Sequence, residues 1–328
     1  MKSPETDYHA TVQDVYRRAA LEPATDLCCV SQAATYLPGL HIPDAMHAMN
    51  YGCGSTVHPQ DMRPNQTALY VGVGGGLEAL QLAYFCRKPG GVIGIDPVAE
   101  MRESARRNLE SAARINDWFD PSFVDIRDGD ALQLPVDDFG VDFAAQNCLF
   151  NIFKTDGDLQ RALSEVFRVL RGGGRLVMSD PITPVDLPRH LIDDDALRAA
   201  CLSGCLKLDD YLQRIVDAGF GSIEVRKRSP YRMLDATGHG LDEDVLLETV
   251  EVAAIKTPVP EDGPCIFTGK TATYTGVDES FDDGKGHQLR KNVPASVCDK
   301  TAEALALLAR DDLTVTGSTW HYQGGGCC

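Results

Sequence analysis

What most limits the folds open to this 328-residue chain is an alternation, between about residues 67 and 227, of short apolar runs with helix-length amphipathic segments. TALYVGV, GVIGID, SFVDIR, VDFAAQN and GRLVMSD read as strands, while GLEALQLAYFCR, PVAEMRESARRNLESAAR and DLQRALSEVFRVL read as helices. Strands apolar along their whole length, alternating with helices, imply a mostly parallel sheet covered on both faces. After Pro181 the pattern predicts a helix over 190–203, another over 207–218 and the strand SIEVRK.

The flanks read differently. Residues 8–21 space their apolar groups as an amphipathic helix does. From Pro23 to Pro64 the chain is rich in Pro, Gly and Cys without a periodic run, and is too long to be an idle connector. Past about 228 the alternation stops. GPCIFTGKTATYTG has strand character, ASVCDKTAEALALLAR reads as a helix and LTVTGSTWHY as a closing strand. The expected division is 1–66, an N-terminal helix with a Cys-rich segment; 67–227, the α/β domain; and 228–328, a smaller α+β domain.

Charge and composition narrow the function. With 31 Lys+Arg against 48 Asp+Glu the formal charge is −17, which argues against nucleic acid or an anionic membrane as partner. No run approaches the roughly 18 apolar residues of a membrane span. Asp7, Asp14 and Glu22 stand where a secretory signal would need apolar residues. The expected compartment is the reducing cytoplasm, where eleven cysteines are not expected to build a disulfide framework.

Gly72-Val73-Gly74-Gly75-Gly76 follows a strand and opens a helix, and the next strand ends in Asp96. Glycines there let backbone approach a ligand, the helix N-terminus offers N–H groups, and the acid is placed to accept from both ribose hydroxyls of an adenosyl cofactor. Gly74-x-Gly76-x-x-Ala79 also satisfies a dinucleotide pattern, which leaves an NAD(P) enzyme open. Downstream, Asp128-Gly129-Asp130-Ala131, VDFAAQNCLFNIF and RVLRGGGRLVMSD complete a succession that resembles the class I S-adenosylmethionine-dependent methyltransferases, a Rossmann-like fold, over roughly 67–227. The resemblance implies that Gly72, Gly74 and Gly76 surround the methionine part, Asp96 binds ribose, and Asp130 with Ala131 lies near adenine. Two positions before the first glycine that family usually has Asp or Glu; here stands Tyr70. Asn147, after the fourth strand, is a candidate cofactor contact.

Three cysteines have unusual surroundings: Cys53 in Tyr51-Gly52-Cys53-Gly54, Cys148 in Gln146-Asn147-Cys148, and Cys201 in Ala200-Cys201-Leu202-Ser203-Gly204, toward the end of the 190–203 helix. Taken singly, each reads as a small buried hydrophobe. No zinc spacing is present, and the vicinal pairs Cys28-Cys29 and Cys327-Cys328 suit thiol–disulfide chemistry or soft-metal capture. His41, His47 and His58 are irregularly spaced and read as surface.

YGCG, NC-x-x-N and CLSG-C-LKLDDYLQRIVDAGF resemble the arsenite methyltransferases. NYGCGSTVHP, LYVGVGGGLEALQLAYF, AQNCLFNIF, PVPEDGPCIFTG and TWHYQGGGCC are similar to a subgroup associated with arsenosugar biosynthesis in bacteria. The resemblance implies that Cys53, Cys148 and Cys201 hold As(III) and that Cys28 and Cys29 receive or relay arsenic; Tyr51, two residues before Cys53, is a candidate to pack near the sulfonium, with ordinary core packing the other reading. The resemblance further implies trivalent arsenicals as substrate and a thioredoxin or glutathione system as external reductant, because methylation formally oxidises arsenic. Cys86, Cys205, Cys265 and Cys298 are left as packing. Two other readings stay open: a methyltransferase of an ordinary small molecule with structural cysteines, and a thiol protein that binds arsenic without chemistry.

Overall fold

The computed structural model describes residues 4–24, 27 and 35–322 of the chain. It begins with α1 (Pro4–Leu21) and α2 (Asp44–Ala48), then runs β1 (Ala68–Val71), α3 (Leu77–Cys86), β2 (Val92–Asp96), α4 (Ala99–Ala113), β3 (Val124–Asp128), β4 (Val141–Asn147), α5 (Asp156–Val169) and β5 (Leu170–Ile182). Three short helices follow, α6 (Arg189–Ile192), α7 (Asp195–Ala199) and α8 (Leu208–Asp217), and then β6 (Ser222–Leu234), α9 (Ala236–His239), β7 (Val245–Ile255) and β8 (Cys265–Phe267). The C-terminal part holds β9 (Thr271–Tyr274), β10 (Ser280–Asp282), β11 (Gln288–Arg290), β12 (Ala295–Ser296), α10 (Asp299–Leu307) and β13 (Leu313–Val315). Among the described residues no helix is long and apolar enough to cross a membrane.

Eight strands form one sheet in the order β3-β2-β1-β4-β5-β7-β6-β8. β3 to β5 are parallel; β7 runs antiparallel between β5 and β6. Because successive side chains of a strand point to opposite faces, β1 feeds both cores. Leu69 and Val71 pack with Leu163 and Val166 of α5 and Ile215 of α8, whereas Ala68 and Tyr70 pack with Leu80 and Leu82 of α3, Leu109 of α4, and Met46 and Val57 of the N-terminal segment. The Pro/Gly-rich leader therefore helps to cover one sheet face.

The expected mostly parallel α/β sheet is present, with three departures. The helix expected over 190–203 is two short helices that end at Ala199, so Cys201 lies beyond them, in a turn. The boundary expected at 227/228 falls inside β6, and β7 completes the main sheet. The separately packed unit starts near residue 270, where Ala272, Tyr274, Leu289, Val297, Ala302 and Leu305 form a small core of their own. Finally, the closing strand LTVTGSTWHY shrinks to Leu313–Val315, paired with β9.

Candidate active site

A cleft opens at the carboxyl ends of β1, β2 and β4, where open α/β sheets place their ligands. Gly72, Gly74 and Gly76 adopt φ of 81°, 51° and 87°, left-handed backbone that a side chain would disfavour, and Gly76 caps α3. Asp96 ends β2 and turns back on this loop. Its Oδ2 accepts from the Gly74 N–H at 3.2 Å and its Oδ1 from the Val98 N–H at 2.9 Å. Burial raises its pKa to about 6, against the pull of those two N–H groups. A second cleft shares Gly72, Pro97 and Leu149 with the first and reaches Asp130 and Ala131. Val12 and Gln13 of α1 line both clefts from above.

Beside the first cleft the structure brings Cys53, Cys148 and Cys201 into one buried cluster, against which Tyr51, Ile152 and Tyr231 pack. They are 0%, 4% and 0% exposed. One carbonyl joins two of them: the Ser179 oxygen accepts from the Cys148 N–H at 2.7 Å and from the Cys53 Sγ at 3.3 Å. Cys201 Sγ donates to the Cys148 carbonyl at 3.1 Å. Cys148 and Cys201 have φ of 59° and 58°. Left-handed backbone at non-glycine residues carries a local cost of order 1 kcal/mol and clusters where a site demands a particular geometry. As they stand, the Cys53 and Cys201 thiols are turned onto carbonyls, and among the described residues no three His, Cys, Asp or Glu side chains form a metal-binding group.

Asn147 fastens the Cys53 turn. Its Oδ1 accepts from the Cys53 N–H at 2.9 Å, while its Nδ2 donates to the Gly54 carbonyl at 2.8 Å and to Glu78 Oε1 at 3.1 Å. The approach is so close that a Cβ on Gly52 would overlap the Asn147 amide and one on Gly54 the Ser179 hydroxyl. Gly54→Ala is expected to lower unfolding stability by about 1–3 kcal/mol through overpacking, read by urea denaturation; an unchanged midpoint would show that the turn has room. The Cys148 turn is fastened from behind, where buried Asp180 accepts from the Phe150 N–H at 3.1 Å, from the Tyr211 hydroxyl at 2.7 Å and from Gln146.

The other singled-out residues separate. Tyr51 lines the cleft and packs on the cysteine cluster, its hydroxyl donating to the Ala19 carbonyl at 3.0 Å. Cys28, Cys29, Cys327 and Cys328 lie outside the described residues. His41 and His47 are exposed, but His58, read as surface, is half-buried and pairs with Glu251 at 2.7 Å. Sequence reasoning passes over Glu78 and Ser179, whose only signal is position: Glu78 two residues after the glycine turn, Ser179 at the end of a strand. It also passes over Asp61, which sits between Arg175 and Arg226.

A strand, a glycine turn, a helix and an acid on the second strand, on a sheet whose antiparallel β7 departs from the all-parallel dinucleotide order, define a class I methyltransferase fold. Residues 69–178 match the family model of a methyltransferase domain. The chain is also similar to named arsenite methyltransferases. It is 32% identical to an arsenite methyltransferase of Halobacterium salinarum over 54% of this chain and 43% of that one. It is 28% identical to an arsenite methyltransferase of Aquipseudomonas alcaligenes over 70% of this chain and 66% of that one. The chain thus spans less than two thirds of the length of these relatives. An arsenic(III) S-adenosylmethionine methyltransferase from Chlamydomonas reinhardtii has the same fold, with a TM-score of 0.63 at 22% identity over 88% of this chain and 99% of that one.

Proposed function

We propose that this protein transfers the methyl group of S-adenosylmethionine to trivalent arsenic held by Cys53, Cys148 and Cys201, giving mono- to dimethylated arsenicals for detoxification or arsenosugar biosynthesis. The observation that carries the reading is the convergence of these three cysteines, from three separate segments, into one buried cluster whose member Cys148 also lines the glycine-turn cleft. The cleft suits the cofactor: the left-handed glycines would admit its methionine part, Asp96 would hold its ribose, and Asp130 with Ala131 would bound the adenine end.

When bound, S-adenosylmethionine supplies an electrophilic methyl group on a sulfonium that leaves as a neutral thioether. As(III) is soft and prefers thiolates. Losing its proton ends each thiol's donation to a carbonyl, so Cys53 and Cys201 can turn toward a shared ligand. Three thiolates leave the arsenic lone pair on the fourth side as nucleophile, so no base is required at that atom. The cluster's burial excludes water, and the Asn147 and Ser179 contacts fix orientation, which is where such a site obtains its rate. Tyr51 packs on the cluster and lines the cleft, where its ring would favour the positive charge of the sulfonium. Methylation takes two electrons from arsenic in the formal count; oxidation of two thiolates to a disulfide returns two, and thioredoxin or glutathione restores the thiols. Cys28 and Cys29 are the proposed relay.

The test is purified protein with arsenite, S-adenosylmethionine and a dithiol, with products separated by arsenic speciation. Methylated arsenic is expected; its absence under reducing conditions would overturn the reading. Cofactor binding is expected to weaken as pH falls below about 6, because only the ionised Asp96 can accept strongly at both oxygens, and protonation turns one of them into a donor. The sign for folding alone is opposite. A raised carboxylate pKa contributes stability fully below its ordinary value of 3.8, and that contribution is lost as pH rises through about 6. Calorimetric titration from pH 5 to 8 checks this, and a flat profile would remove Asp96 from the site.

A further inference from the structure

S-adenosylmethionine carries an ammonium group on its amino-acid end, and a cation entering a half-buried cleft needs an anion there. Among the described residues lining the cleft, two bear carboxylates, Asp96 and Glu78. Asp96 is occupied with the Gly74 and Val98 N–H groups at the end of β2 and is the proposed ribose ligand. Glu78 stands in the first turn of α3, half-buried, and no Lys, Arg or His side chain pairs with it among the described residues. Its Oε1 accepts from Asn147, and its carboxylate lies against the hydroxyl of Tyr70, which is 2% exposed. Tyr70 occupies the strand position two residues before the first glycine, and its hydroxyl ends at the carboxylate that the strand itself lacks.

We propose that Glu78 is the anion that binds the ammonium group of the cofactor, with Tyr70 and Asn147 orienting its carboxylate. This rests on the cofactor reading above. Burial pushes the Glu78 pKa up, despite hydrogen bonds from its own N–H, Asn147 and Tyr70, so an arriving cation relieves a carboxylate that the apo cleft leaves poorly compensated. The acid thus moves from strand to helix, eight residues along the chain. A consequence is a shared amide: Asn147 touches Glu78 and also the Cys53 N–H and Gly54 carbonyl. The ammonium subsite and the Cys53 turn are therefore held by one side chain.

Calorimetric binding of two nucleosides to the full chain tests this. S-adenosylhomocysteine carries the amino-acid end; 5′-methylthioadenosine has the same nucleoside and thioether without it. Glu78→Gln is expected to weaken S-adenosylhomocysteine by about 10- to 100-fold, the loss of one charged hydrogen bond, and to leave 5′-methylthioadenosine within about 2-fold. Glu78→Asp is expected to retain part of the preference, because it keeps the charge. If Glu78→Gln weakens both nucleosides equally, or neither, Glu78 is not the ammonium ligand. If the unaltered protein binds neither nucleoside, the cofactor reading itself fails.

Discussion

Replacing Cys53 by serine is expected to lower arsenic methylation by at least about 100-fold, or about 2.7 kcal/mol of transition-state stabilisation, while S-adenosylmethionine still binds. The substitution changes one atom in a fully buried site, so packing is nearly conserved and the loss reports chemistry. A hydroxyl is a hard, weakly acidic ligand, whereas As(III) selects soft thiolate. Cys53 does not line the cofactor cleft, which separates the two readouts. Cys201→Ser is expected to behave alike from a different segment. Cys205→Ser is the control: this thiol lies four residues on, donates to the Leu202 carbonyl at 3.4 Å and belongs to another core cluster. Methylation with arsenic speciation, cofactor titration and a thermal melt would be run on all three. Full methylation by Cys53→Ser would end the three-thiolate proposal, and equal loss by Cys205→Ser would mean that the region only needs packing.

Asp61→Ala is expected to remove about 3–5 kcal/mol of stability, because it breaks a buried pair, leaving Arg226 with Glu224 alone and the part-buried Arg175 without its partner. The Asp61 side chain is fully buried; it pairs with Arg226 at 2.6 Å and with Arg175, and Arg226 also pairs with Glu224 at 2.8 Å. Asp61 belongs to the leader, Arg175 to β5, and Arg226 and Glu224 to β6. The pair therefore ties the segment bearing Cys53 to the sheet. A fall of order 10 °C in melting temperature follows for a chain of this size. Burial alone would raise the Asp61 pKa, but Arg226 and then Arg175 outweigh it and hold the carboxyl below its ordinary value. Stability from this cluster is thus complete above the ordinary value of 3.8 and is lost as pH falls through the lowered one. Denaturant melts of Asp61→Ala and of Asp61→Leu with Arg226→Met would check it. The double variant is expected to recover little, because it leaves buried Glu224 without Arg226 and Arg175 without Asp61. An unchanged Asp61→Ala melt would show that water reaches the guanidinium groups.

Much of the α/β frame was legible in local pattern. Val92–Asp96 is buried at every position because helices cover both faces, and that is why it reads as one apolar run. The glycine turn and Asp96 were legible because their chemistry is packed into one strand–turn–helix unit. β7 was not placed, although VLLETVEVAAI is a strong strand, because nothing local says which neighbours an apolar strand will find. The same gap hid the end of the domain. Glu78 was passed over because an acid in the first turn of a helix is so often just a favourable charge at the helix dipole; its role depends on what Tyr70 and Asn147 present to it.

By itself the sequence determined the periodic elements, the glycine conformations the turn requires and the presence of many thiols, all properties of neighbours along the chain. It took resemblance to group Cys53, Cys148 and Cys201, since each alone is an ordinary small hydrophobe. Only the tertiary structure decided that they meet, since Cys201 lies 53 positions from the Cys148 carbonyl it contacts and Cys53 lies 126 from Ser179. Contacts at that separation are set by strand order and by buried pairs such as Asp61 with Arg226, 165 positions apart. Such pairings depend on which distant groups satisfy one another once water is excluded, and no local window carries that information.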